Sequence, residues 1–435
     1  MTPPVELPVE GPRPLRGRIR VPGDKSISHR AFLLGALANG TTRLTGVADG
    51  DDVDRTRQAI EALGVAVREP APGELVVRSA GPGVLREPGG VIDCGNSGTS
   101  LRVLAGVLAG RPFLSVLTGD GSLRLRPMAR VVEPLRALGA RVDGRDGGAF
   151  PPLSIRGGDL RGTRCELEVA SGQVKSALLL AGLQADGTTE VVEPAPSRDH
   201  TERMLAALGA PLQRVDDRTA RVERGELTAF ELDVPGDPSS AAFFAVAAAV
   251  TPGSEVVIEG VALNPTRIAF VDVLRRMGAP VEVRVRDERL GEPVGDLTVA
   301  SAPLTGTTIS GREVPALIDE IPALAVAAAF AAGVTEIRDA AELRVKESDR
   351  IGTIAQELSQ LGITAHSRPD GLVIEGGRPR PGHLKSHGDH RIAMAVAIAA
   401  NACDGPSTVR GWAAVASSYP RFADDLAVLT NGAAT

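Results

Sequence analysis

Glycine, serine and charged residues gather at six places in this chain, each just ahead of an apolar run: GDKSISHR (23 to 30), GNSGTSLR (95 to 102), SGQVKS (171 to 176), GDPSS (236 to 240), DEIP (319 to 322) and GDHR (388 to 391). The start of a helix carries N–H groups without intrahelical partners and a partial positive charge, so Gly, Ser, Thr and Asn there can cradle phosphate or carboxylate. Ordinary capping accounts for the same residue types at any single start. Lys25, Arg30, Lys175 and Arg391 argue for more. A cation in the first turn opposes the helix dipole, and its recurrence there points to bound anions.

A second group of segments repeats the theme: RLRPMAR (124 to 130), SRDH (197 to 200), NPTR (264 to 267) and RVKESDR (344 to 350). Guanidinium groups hold phosphate and carboxylate through paired hydrogen bonds, and here they collect at helix starts instead of spreading along a solvated face. Arg126, Arg198 and Arg350 therefore read as ligand contacts, whereas Arg267 in NPTR reads as part of a turn. Carboxylates in the same segments suit proton transfer. Asp319 and Glu320 fit either a cap or a catalytic group. Glu347, bracketed by Lys346 and Arg350, fits a general acid or base with a tuned pKa, or an ion pair with Arg350 three residues on. The pattern GxxxxGK[ST] is broken by Val21-Pro22, and GxGxxG, HExxH and GxSxG are absent. The six histidines form no metal-ligand spacing, so no metal is expected, and His390 fits a buried supporting residue as readily as a catalyst.

The elements that must position these residues repeat. Six short Gly/Ala-rich apolar helices are expected to end in glycine, at Gly40, Gly110, Gly187, Gly253, Gly333 and Gly405. After each come β-formers, a polar loop and, in the first five copies, an amphipathic helix stopped at ALGV, ALGA, ALGA, RMGA or QLGI, with Gly64, Gly139, Gly209, Gly278 and Gly362 in a left-handed turn. Both glycine series advance by roughly 66 to 84 residues, the mark of an internal repeat. One unit is thus apolar helix, strand, loop, amphipathic helix and two further strands, VEVRV at 281 to 285 being one such strand. The sixth copy stops short, with a last helix near 420 to 430 ending at Asn431-Gly432. The strand-like residues 5 to 22 are expected to complete it and close the chain on itself.

A length of 435 residues exceeds what one core supports, so three repeats per domain are expected: residues 24–234, and a discontinuous domain of 1–23 plus 235–435. PGDPSS at 235 to 240 marks the return crossing, and a cleft between the lobes is the expected ligand site. The composition is 43% hydrophobic, 23% charged and 3% aromatic, with a net charge of −6, which argues against nucleic acid as a partner. Cys94, Cys165 and Cys403 are an odd, scattered set that suits a reducing compartment. No leader opens the sequence, and the longest apolar runs, 241 to 250 and about 321 to 332, are shorter than the roughly 20 residues of a membrane span, so a cytoplasmic location with no membrane contact is expected.

Taken in order, GDKSISHR, GNSGTSLR, RPMAR, RVKESDR and GDHR make the chain resemble the 5-enolpyruvylshikimate-3-phosphate synthase family nearly end to end. The resemblance implies an α/β fold, a two-domain inside-out α/β barrel of six βαβαββ repeats. It implies transfer of the enolpyruvyl group of phosphoenolpyruvate to the 5-hydroxyl of shikimate 3-phosphate through a tetrahedral intermediate, by a monomer and with no cofactor. Shikimate 3-phosphate would meet Lys25, Ser26, Arg30, Ser171, Gly172, Gln173, Ser197, Arg198, Asp319 and Lys346. Phosphoenolpyruvate would meet Lys25, Asn96, Gly98, Arg126, Gln173, Glu347, Arg350 and Arg391. Asp319, or alternatively Glu320, would be the base, Glu347 the proton donor to the methylene carbon, and Lys25 a stabiliser of developing charge. Three positions depart from the pattern: Ser417 stands where a lysine is expected, Glu342 where some members have asparagine, and Gly172 where SxQ has a serine. GDKS, SGQVK and NPTR resemble the glyphosate-tolerant class, with Lys175 and Arg267 as its markers. Two alternatives are a transferase acting on UDP-N-acetylglucosamine, which would open with Lys-Asn and use a loop cysteine, and a non-catalytic phospholigand-binding protein, for which Asp319 and Glu347 would be a burden.

Overall fold

In the computed structural model, which describes residues 5–431, the six apolar runs form the helices Lys25–Leu37, Gly98–Ala109, Gly172–Gly182, Pro238–Val250, Ile321–Ala329 and His390–Ala402. Every residue of Pro238–Val250 is buried, as a helix apolar on all sides must be. Small residues let such helices touch at the backbone. A Cβ on Gly106 would lie 2.1 Å from the Ala177 carbonyl oxygen, so Gly98–Ala109 and Gly172–Gly182 pack at a separation only glycine permits.

The amphipathic helices are Asp51–Ala62, Ala129–Ala137, His200–Ala207, Ala269–Met277 and Arg350–Gln360. Their stop glycines, Gly64, Gly139, Gly209, Gly278 and Gly362, all have φ between 73° and 107°, the left-handed turn expected of them. The other glycine series requires a correction. Only Gly110 caps its apolar helix. Gly40, Gly187, Gly253, Gly333 and Gly405 lie beyond the helix, at φ 77° to 127°, where the chain turns into or begins the next strand.

The third repeat displays the full unit. Arg164–Glu166 runs parallel to Thr189–Val192, with the helix Gly172–Gly182 as the connection that parallel pairing requires, and Thr219–Val222 and Leu212–Arg214 extend the sheet antiparallel. Two repeats exchange their first strands. Arg16–Ile19, which precedes the first apolar helix, pairs with Glu255–Ala262 in the fourth sheet. Glu231–Asp233, which precedes the fourth apolar helix, pairs with Ala38–Thr45 in the first. Residues 5 to 22 therefore do not all serve the sixth repeat. Only Glu6–Gly11 does, pairing antiparallel with Gly405–Arg410 in a three-stranded sheet with His383–Lys385, while Arg16–Ile19 belongs to the fourth. The last helix is Phe422–Thr430, and Gly432 lies outside the described residues.

The chain divides into two compact units. The central unit holds Gly23–Val234 and the short segment Glu288–Glu292; the terminal unit holds the residues up to Pro22, Pro235–Asp287 and those from Pro293 onward. In the terminal unit the few aromatics concentrate: Phe244 stacks on Phe422 at 5.0 Å, and Tyr419 meets Phe422 edge-on at 5.3 Å, fastening the last helix. Among the described residues no helix is long and apolar enough to cross a membrane. Cys94, Cys165 and Cys403 are unpaired and buried, and burial pushes the Cys94 thiol up to about 12.

Candidate active site

In the central unit Lys25 opens the first apolar helix behind Asp24, whose carboxylate caps the Ile27 N–H at 2.8 Å. The Lys25 ammonium pairs with Asp52. One turn later Arg30, buried, gathers the starts of three helices: it donates to the Ser26 carbonyl at 2.9 Å, the Gly172 carbonyl at 3.3 Å, the Ser176 hydroxyl at 2.6 Å and the Thr201 hydroxyl at 2.7 Å. Burial lowers its pKa to about 10, with Glu202, Asp24 and Glu292 opposing the shift, so it remains a cation at neutral pH.

The second start assembles another group. Asn96 donates to Asp120 at 2.7 Å and accepts from the Arg126 guanidinium. Gly98 lies against the same arginine, since a Cβ there would fall 3.4 Å from Arg126 Nη1 and 3.0 Å from Arg102 Nη1. Arg102, which sequence reasoning missed, donates to Gln173 at 2.6 Å, and Gln173 in turn donates to Thr99 at 2.9 Å. Four residues expected to meet phosphoenolpyruvate are thus neighbours: Arg126 bonds Asn96 and lies against Gly98, and Arg102, on the other side of Gly98, holds Gln173. Arg102 is visible in GNSGTSLR, but its inward direction depends on helix phase.

At the third start Ser171 caps the helix, accepting from the Val174 N–H at 3.4 Å. Lys175 corrects an expectation. It is 4% exposed and bridges Glu193 at 2.6 Å and Glu202 at 2.8 Å, so the cost of a cation in a first turn is met by carboxylates of its own unit and not by a ligand. Burial works against the Lys175 ammonium, but those two carboxylates outweigh it and raise its pKa. Glu193 also accepts from the Ser171 N–H at 3.1 Å and the Ser197 hydroxyl at 2.5 Å. A Cβ at Gly172 would sit 3.0 Å from the Arg198 carbonyl oxygen, so the glycine lets the SRDH loop come close. His200, first in its helix, pairs with Glu292 of the short segment at 2.7 Å. Neither Glu193 nor Glu292 falls in a motif, and no signal in the sequence singles them out.

In the terminal unit Arg350 is 1% exposed and its guanidinium meets three carboxylates: Asp389 at 2.8 Å, Asp319 at 3.2 Å and Glu347 at 2.6 Å. Arg391 joins from the last apolar helix, donating to the Asp319 carbonyl at 3.1 Å with its guanidinium 3.7 Å from the Asp319 carboxylate. Burial works against the charge on Arg350, but the surrounding carboxylates raise its pKa above the ordinary arginine value. Burial likewise works against ionised Asp389, but Arg350 outweighs it and holds that carboxyl below its usual range. Lys346 is pushed below the ordinary lysine value by desolvation, with Asp319 and Glu342 opposing, and lies 3.7 Å from Glu342. The ion pair between Glu347 and Arg350 allowed by their spacing does form. Glu347 nonetheless keeps 20% exposure and Asp319 14%, whereas Asp389 has none.

Glu320 departs from its neighbour. It is 1% exposed and accepts from the Ser239 hydroxyl, which also accepts from Arg267 at 2.9 Å, while Arg267 pairs with Asp237 at 3.1 Å. NPTR thus makes a turn, with the Thr266 N–H on the Asn264 side chain at 2.9 Å, that delivers Arg267 into a buried cluster. Ser417 ends the short helix Trp412–Ser417 and donates its hydroxyl to the Ala414 carbonyl at 3.0 Å, supplying no charge.

A model of the EPSP synthase (3-phosphoshikimate 1-carboxyvinyltransferase) family matches residues 9–426. The chain is similar to the 3-phosphoshikimate 1-carboxyvinyltransferase of Chloroflexus aurantiacus, 54% identical over 437 residues and covering 98% of this chain and 99% of the relative. That of Anaeromyxobacter sp. (strain K) is 54% identical over 411 residues, 94% of this chain and 92% of the relative. Among solved structures, the EPSP synthase from Acinetobacter baumannii superposes with a TM-score of 0.87 at 43% identity, over 98% of each chain. The enolpyruvyl transferase NikO from Streptomyces tendae, at 20% identity and a TM-score of 0.78 over 98% of each chain, shares the fold. Matched by the family model over nearly its whole length, and identical to the Chloroflexus and Anaeromyxobacter relatives at more than half of the aligned positions, the chain belongs to the EPSP synthase family.

Proposed function

We propose that this chain transfers the enolpyruvyl group of phosphoenolpyruvate to the 5-hydroxyl of shikimate 3-phosphate and releases phosphate, the shikimate-pathway step toward chorismate and the aromatic amino acids. Membership of the family supports the reaction. For its chemistry the observation that carries most is the single guanidinium of Arg350 holding Asp319 and Glu347, both partly open to solvent. Asp319 takes the proton of the 5-hydroxyl as its oxygen attacks C2 of phosphoenolpyruvate, and Glu347 delivers a proton to C3. The tetrahedral adduct then loses phosphate from C2 and a proton from C3, restoring the double bond. Glu320, closed in against Ser239, is poorly placed for the first step, which favours Asp319 as the base.

The two substrates bring roughly five to six negative charges. In this reading Lys25, Ser26, Arg30, Ser171, Gly172, Gln173, Ser197, Arg198 and Lys346 receive shikimate 3-phosphate. Lys25, Asn96, Gly98, Arg126, Gln173, Arg350 and Arg391 receive phosphoenolpyruvate, with Lys25 also stabilising developing charge. In the same reading the chain acts as a monomer in the cytoplasm on these small anions, and its net charge of −6 disfavours nucleic acid and anionic membrane surfaces as partners. Its motifs further support glyphosate tolerance. Inhibition at glyphosate concentrations comparable to the phosphoenolpyruvate KM would sink that point.

Phosphate release from phosphoenolpyruvate tests the function, run with shikimate 3-phosphate, with UDP-N-acetylglucosamine and with a Glu347→Gln variant. Release with shikimate 3-phosphate alone, lost in the variant, is the expected result. Release with the nucleotide sugar, or none despite tight binding of shikimate 3-phosphate, would overturn it.

A further inference from the structure

We infer that Glu193 is a positioning residue for shikimate 3-phosphate, setting Ser171 and Ser197 at once from a buried place behind them. The inference rests on the assignment of those two serines to that substrate. Glu193 is 1% exposed, too enclosed to face a ligand itself. Its Oε1 accepts both the Ser171 N–H and the Ser197 hydroxyl, while its Oε2 takes the Lys175 ammonium. Ser171 precedes the helix Gly172–Gly182, and Ser197 lies in the loop before His200–Ala207. One carboxylate oxygen therefore holds both serines directly, where Arg30 and the Lys175–Glu202 pair join the two segments one turn further into their helices. Ser171 is oriented twice, by its N–H on Glu193 and by its hydroxyl oxygen capping Val174. Holding both serines before the ligand arrives lowers the ordering cost of binding.

The charge arrangement makes this testable. Lys175 faces two carboxylates, Glu193 and Glu202, so Glu193→Ala leaves a one-to-one pair between Lys175 and Glu202 at 2.8 Å, and the variant should fold. Steady-state kinetics on the full chain should give a KM for shikimate 3-phosphate raised about tenfold, as for one lost hydrogen bond to a charged group, with kcat and the phosphoenolpyruvate KM within about twofold. Glu193→Gln, which keeps an acceptor for the serines, should recover most of the loss. Combining Glu193→Ala with Ser197→Ala should raise KM little beyond the larger single effect, because the two act in series. A KM unchanged or lowered by Glu193→Ala, or additive effects in the double variant, would overturn the inference. Ser171→Ala and Ser197→Ala alone separate the two levels. If neither raises KM, the assignment of the serines fails; if both do and Glu193→Ala does not, only the inference fails.

Discussion

Arg267 and Arg350 hold corresponding places in successive repeats, each where the chain turns into an amphipathic helix, and each is 1% exposed. Each also grips the aspartate that caps an apolar helix, Asp237 for one and Asp389 for the other. They differ in their remaining partners. Arg267 is enclosed by Ser239, itself bonded to Glu320, and all three are buried. Arg350 reaches Asp319 and Glu347, which keep 14% and 20% exposure. The two buried arginines thus differ in whether their further carboxylate partners open to water, and the adjacent Asp319 and Glu320 fall on opposite sides of that difference.

The largest effect should separate those neighbours. Asp319→Asn or Glu347→Gln should lower kcat by about 10²- to 10⁴-fold, the range of general acid–base catalysis, while Glu320→Gln stays within a few-fold. Pre-steady-state phosphate release measures both, and a kcat collapse in Glu320→Gln alone would reverse the assignment. Next comes stability. Arg267→Met leaves Asp237 without this cation and should cost about 3–5 kcal/mol in urea unfolding, with both KM values kept in whatever fraction folds. A tenfold rise in the phosphoenolpyruvate KM would instead place Arg267 with Arg350.

How much of this contrast the sequence reveals depends on the kind of interaction. Helix starts are legible because capping and anion binding draw on a few residue types in a row, and the stop glycines because a left-handed turn excludes most other residues. The residues of NPTR mark a turn, which is why Arg350 and not Arg267 reads as a ligand contact. Tertiary pairing is another matter. Glu193 and Glu292 have no local signature, and Lys175 carries the same local signal as Lys25 although it serves the interior. The strand exchange between the first and fourth repeats is silent for the same reason: Arg16–Ile19 reads as a strand without revealing its sheet.

A smaller effect sharpens the Arg350 side. Asp389 has a depressed native pKa, so the unfolded chain binds its proton first as pH falls below about 4. The stability it supplies is present above that pH and lost as pH drops toward the native value. Urea midpoints at pH 5, 4 and 3 should fall more steeply for the parent than for Asp389→Asn, and parallel curves would detach Asp389 from Arg350. Smallest of all, Glu342→Gln weakens a half-exposed contact with Lys346 at 3.7 Å and should shift stability by only a few tenths of a kcal/mol. Any larger change in the KM for shikimate 3-phosphate would then reflect the substrate and not the fold.

The strand Glu6–Gly11 sets a timetable for synthesis. It faces Gly405–Arg410, with Glu6 opposite Arg410, so it waits until all the residues between them have been made, a delay of tens of seconds at about 5–20 residues per second. The sixth sheet cannot close until Gly405–Arg410 has been made, whereas Gly23–Val234 has almost all of its own unit once Val234 is made and waits for Glu288–Glu292. On a stalled ribosome the central unit should resist protease first, while Glu6–Gly11 stays cleavable until Gly405–Arg410 has emerged.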